Sequence, residues 1–91
     1  MSTPTTYRVI GFGLSEEGTL FNEPAFCSTF AYAQGIYNAH LQDPEMEGAM
    51  IIRVRHEDWE VIQEFNPEHR SVVYGPLGCF RVEKASTLVM V

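Results

Sequence analysis

Residues Met50–Phe65, MIIRVRHEDWEVIQEF, decide the fold. Apolar and polar residues alternate on both sides of an acidic dipeptide. That is the pattern of two half-buried strands folded back on each other. With Glu57-Asp58 as a two-residue loop, His56 faces Trp59 and Arg55 faces Glu60. The pairing then continues to Met50 against Phe65. One face of this hairpin collects Met50, Ile52, Val54, His56, Trp59, Val61, Gln63 and Phe65. The other collects Ile51, Arg53, Arg55, Glu60, Ile62 and Glu64. A one-residue slip would turn the apolar set outward, so this register is expected to be well specified. The loop is less so, because Glu-Asp is not the Asn-Gly type that two-residue hairpins favour. A longer loop from His56 to Asp58 is the alternative.

Working outward, one clear helix precedes the hairpin, over about Thr29 to Gln42, with Ser28 as its expected N-cap. At ~100° per residue, Phe30, Tyr32, Ala33, Ile36, Tyr37, His40 and Leu41 share half the circumference. This arc is wide enough to cover one face of a sheet, and the Ile52/Val54/Trp59/Val61 face is the expected one. Gly35 falls on the solvent side, at a cost of about 1 kcal/mol relative to Ala. Asp43-Pro44 ends the helix, because Pro disfavours the α region in the residue before it.

Upstream, Tyr7–Leu14 reads as a strand, Ser15–Gly18 as a turn, and Thr19–Phe21 as a short returning strand. Pro24 places the next stretch at an edge or outside the sheet. Downstream, Ser71–Tyr74 and Cys79–Lys84 read as strands around a Gly75–Gly78 turn. Thr87–Val91 reads as a last apolar strand, paired within the chain or with a second copy. Residues 1–5 are expected to be frayed, leaving one domain over residues 6–91. The fold class is α+β. A single helix packs on a mostly antiparallel sheet of four to six strands, in the order β-(β)-α-β-β-β-β.

Composition narrows the function. The 91 residues carry twelve acids against six bases, a net charge of −6. Nucleic-acid phosphates need a basic stripe, so direct binding to them is not expected. No apolar run approaches the ~20 residues of a spanning helix. MSTPTTYRVI has no signal-peptide pattern, so cytoplasmic residence is expected. Cys27 and Cys79 are expected to be free in that compartment.

No motif names a chemistry. Gly11 and Gly13 follow a strand but lack the G-x-G-x-x-G spacing and lead into a turn, so they read as a bent strand. His56, Glu57 and Asp58, even with His69, supply too few histidines for a zinc site. No metal, cofactor or catalytic group is therefore expected. Serine has no nucleophile elbow, and neither cysteine has a base beside it in sequence.

Two functional expectations remain. The first is a small acidic, non-catalytic module that docks on a larger protein or nucleoprotein with a basic surface and inhibits or regulates it. Small phage- or plasmid-encoded inhibitors offer the analogy. Its expected docking residues are Tyr32, Arg53, Arg55, Glu57, Asp58, Trp59 and Glu60, chosen because Trp, Tyr and Arg dominate interface energetics. The second is a small dimeric enzyme or ligand-binding domain, with a pocket between helix and sheet lined by Tyr32, Tyr37, His40 and Trp59. A homodimer joined through the C-terminal strand is a further expectation.

Overall fold

In the computed structural model, Met50–Phe65 forms the two expected strands, β3 (Gly48–Arg55) and β4 (Asp58–Phe65). The structure describes residues 4–56, 58–66, 70–74 and 79–84. Glu57, His69, the Gly75–Gly78 turn and the Thr87–Val91 strand lie outside these, as do the first three residues. The turn sits one residue earlier than the sequence suggests. Arg55 pairs with Asp58, and His56 takes up a positive φ of 49°. The pairing is displaced by two residues, with Val54 against Trp59, Arg53 against Glu60 and Ile52 against Val61. An even displacement preserves which face each side chain occupies, so the alternation identified the faces correctly as far as Val61 while missing the partners.

The register then shifts between Ile51 and Ile52, where Ile51 pairs with Gln63. Ile62 is the extra residue of this bulge. Its side chain joins a core cluster with Ile51. Beyond the bulge Gln63 comes onto the face of Ile51 rather than that of Met50. There the Gln63 side-chain amide donates to Gln34 Oε1 at 2.7 Å. Phe65 pairs with Ala49, while Glu64, not Phe65, pairs with Met50.

The remaining elements complete an α+β fold in the expected order. They are β1 (Thr6–Leu14), β2 (Leu20–Cys27), α1 (Phe30–Gln42), β5 (Arg70–Tyr74) and β6 (Phe80–Lys84). The main sheet is antiparallel, ordered β2-β1-β3-β4, and β5 and β6 form a separate antiparallel pair. Strand β2 is longer than its sequence suggests. It accommodates Pro24 opposite Ile10, because β2 is an edge strand with one side free of ladder bonds. Gly18, at φ 82°, allows the β1–β2 turn. The helix starts one residue later than expected. Thr29 is the N-cap, and its Oγ1 accepts from the Tyr32 backbone N–H at 3.2 Å.

The helix covers the opposite face from the one expected. Ala33 and Tyr37 pack with Val9, Cys27, Ala49 and Ile51, flanked by Tyr7, Ala25, Ile36 and Ile62. The Ile52/Val54/Val61 face is covered instead by β5–β6, which brings Phe80 and Val82 onto Ile10, Phe12, Met50 and Ile52. Side-chain size accounts for the choice. Val9, Gly11, Ala25 and Ala49 keep the helix-side surface low. A Cβ at Gly11 would come within 2.7 Å of His40 Nδ1, so the imidazole occupies the space a side chain would take. The other face carries Ile10, Phe12, Met50 and Ile52, whose bulk fills the gap to a second sheet layer.

The second layer is pinned at the β2 edge. Asn22 Nδ2 donates to the Val82 carbonyl at 3.0 Å, and the Val82 N–H donates to Asn22 Oδ1 at 2.7 Å. One side-chain amide thus stands in for a neighbouring strand, satisfying both backbone groups of a buried residue.

Candidate functional site

The register places Phe26, Arg8, Ile52 and Val61 in one row across β2, β1, β3 and β4, on the face covered by β5–β6. Arg8 is the only charged residue in this row. Its guanidinium carbon lies 3.8 Å from the centroid of the Phe26 ring, a cation–π contact. Its Nη1 donates to Thr6 Oγ1 at 3.1 Å and to the Tyr7 carbonyl at 3.3 Å. Among the described residues no carboxylate pairs with it. Burial lowers the Arg8 pKa, partly offset by the nearby Cys79, Tyr74 and Cys27.

A cleft of about 320 Å³ opens beside Arg8, walled by Ile10, Pro24, Ala25, Phe26, Cys79 and Phe80. Phe80 carries the structure onward. Trp59 meets it edge-on at 5.1 Å and Tyr74 at 4.9 Å. Phe26, Tyr74 and Trp59 are exposed by 63%, 56% and 38%. An arginine and exposed aromatic residues therefore cluster beside a concave surface. That residue combination is enriched at protein interfaces and ligand sites.

A second cleft, of about 370 Å³, lies at the hairpin tip. It is lined by Arg53, Arg55, Asp58, Trp59 and Glu60. The structure thus brings together five of the seven residues the sequence singled out for docking. Glu57 lies outside the described residues. Tyr32 is 62% exposed on the helix and does not line this cleft. Arg53 makes an ion pair with Glu60, while its Nε is buried without a hydrogen-bond partner among the described residues. Trp59 lines this cleft and touches Phe80, linking the two concave surfaces.

The helix–sheet pocket is arranged differently from its sequence expectation. Tyr37 is buried in the helix-side core, and the His40 ring lies against Gly11. Trp59 belongs to the opposite face of the sheet, against Phe80. The four residues Tyr32, Tyr37, His40 and Trp59 therefore line no common cavity. Burial, and secondarily the charge of Glu64, raise the Tyr37 pKa. Cys27 is buried and Cys79 exposed, and both are free. Burial raises the Cys27 thiol pKa, against a lowering by Arg8. Among the described residues, no group of three or more His, Cys, Asp or Glu could hold a metal ion. No described helix is long and apolar enough to cross a membrane.

Sequence reasoning missed the Arg8 cleft. Its contributors, Arg8, Phe26 and Phe80, lie far apart in sequence, and β-pairing with layer packing assembles them. A lone arginine in an apolar strand was the only local signal. No protein-family model, curated protein or solved structure matches this chain.

Proposed function

We propose that this protein is a small acidic, non-catalytic interaction module that docks on a larger macromolecule and inhibits or regulates it. The observation carrying this reading is the position of Trp59. It is partly exposed between the hairpin-tip cleft and the Phe80–Tyr74 aromatic pair. Trp, Tyr and Arg supply most of the energy at protein interfaces, and all three occur within this one region. The tip also presents Arg53 and Arg55 beside Asp58 and Glu60. Charges of both signs at a rim set partner choice and orientation more than affinity. The overall charge of −6 favours a partner with a basic surface.

Affinity capture with paired baits tests the reading. Wild-type protein is compared with a Trp59→Ser/Arg55→Glu variant whose fold is verified by circular dichroism. The expected result is a macromolecule retained by the wild type and lost by the variant. Reconstitution with that partner should then give a Kd weakened by roughly 30-fold or more, since an interface anchor contributes about 2 kcal/mol or more. Identical retention by both baits, or retention by neither, would refute it.

A further inference from the structure

We propose that the cleft beside Arg8 is a binding site for a carboxylate carried on a small apolar or aromatic body. The inference stands independently of the docking reading. It rests on the shape of the cleft and on the donors left on one guanidinium.

Arginine has five N–H donors arranged in the plane of its guanidinium. In Arg8 the two recorded bonds both leave from Nη1, to Thr6 and Tyr7. Nε and Nη2 make no hydrogen bond to any described residue. These two nitrogens form the side-on fork that matches both oxygens of a carboxylate. The contact with Phe26 and the anchored Nη1 hold the guanidinium in place before a ligand arrives. Less side-chain freedom is then lost on binding.

The walls define the rest of the ligand. Ile10, Pro24, Ala25, Phe26 and Phe80 are apolar, and about 320 Å³ lies at the lower end of small-molecule sites. Such a space suits an aryl or short alkyl group next to the charged end. A phosphate dianion would call for several cationic or N–H donors, whereas the described wall supplies one guanidinium. The protein's net negative charge does not oppose a carboxylate strongly here. At physiological salt, exposed charges beyond a Debye length of about 8 Å are largely screened. The carboxylate could belong to a free organic acid or to the C-terminal residue of a peptide.

Three probes separate these cases: hydrocinnamate, its neutral amide hydrocinnamide, and acetyl-glycyl-phenylalanine with a free carboxylate. Binding is followed by amide chemical shifts. The expected result is that at least one acid perturbs Arg8, Phe26, Cys79 and Phe80, with the neutral amide at least about tenfold weaker. Arg8→Met should weaken acid binding by a similar factor. Tighter binding of hydrocinnamate would identify a free acid as the ligand class, and tighter binding of the peptide a chain end. Cys79 provides a second measurement on the unmodified protein. It lines the cleft and is exposed, whereas Cys27 is buried. Saturating acid should therefore slow alkylation of Cys79, and the neutral amide at the same concentration should not. If Arg8→Met does not fold, the probe comparison and the alkylation rates decide alone. The proposal is overturned if neither acid binds, if acid and amide bind alike, if a folded Arg8→Met variant binds the acid unchanged, or if saturating acid leaves Cys79 alkylation unaltered.

Discussion

The two sides of the main sheet are built differently. On the helix side, small residues let α1 seat closely, with His40 against Gly11 and Tyr37 among Val9, Ala49 and Ile51. On the other side, large residues meet a second β layer, and the Arg8 cleft remains beside Phe80. Two arginines on adjacent strands sharpen the contrast. Arg53 shares the helix-side face and is ion-paired with Glu60, whereas Arg8 stacks on Phe26 without a described carboxylate. An exposed ion pair contributes only about 0.2–1 kcal/mol, so Arg53 does little to hold the fold. Close packing beneath α1 makes that part of one side a scaffold. Imperfect closure of the second layer leaves the Arg8 cleft on the other.

That comparison can be broken most directly at Phe12, which is fully buried under the second layer. Phe12→Ala should destabilise the protein by about 3–5 kcal/mol in urea denaturation. A loss below about 1 kcal/mol would mean that β5–β6 is not part of the core. Asn22→Leu comes next. It removes both hydrogen bonds to Val82 and should cost about 1–3 kcal/mol. Amide exchange at Val82 should accelerate more than at Val9 beneath the helix; equal acceleration would mean that the two layers open together.

On the helix side, Gly35→Ala should raise stability by up to about 1 kcal/mol, because the position is helical, exposed and open. Any decrease in the urea midpoint would contradict the placement of this helix face.

The mildest effect is alkaline. Folding holds the protons of Cys27 and Tyr37 to higher pH than in the unfolded chain. The unfolded state therefore loses protons first, and stability falls as pH rises from the ordinary thiol and phenol values toward the raised folded ones. Cys27→Ala should flatten the thiol part of this slope, and Tyr37→Phe the phenol part. Unchanged slopes in both variants would remove burial as the cause.

Much of this architecture was legible because local rules were strong. Asp43-Pro44 stopped the helix where expected, and the odd–even pattern of Met50–Phe65 assigned most side chains to their faces. The pattern also held a signal that strict alternation obscures. Met50, Ile51 and Ile52 are consecutive and all buried, as expected for a central strand covered on both faces. Recognising that run would have called for a second layer. The exact loop was harder to read, because His56 adopts positive φ without the residue chemistry that usually marks such a turn.

The Arg8 site had no comparable local signature. Its aromatic neighbour, Phe26, arrives through β1–β2 pairing, and Phe80 through packing of the second sheet. By itself, the sequence determined the element order, the α+β class and the alternating faces, since these follow from backbone preferences and from periods of two and 3.6 residues. Only the tertiary structure decided which layer covered which face and what gathered around Arg8. Those outcomes depend on side-chain volume across the layers and on contacts between residues distant in sequence.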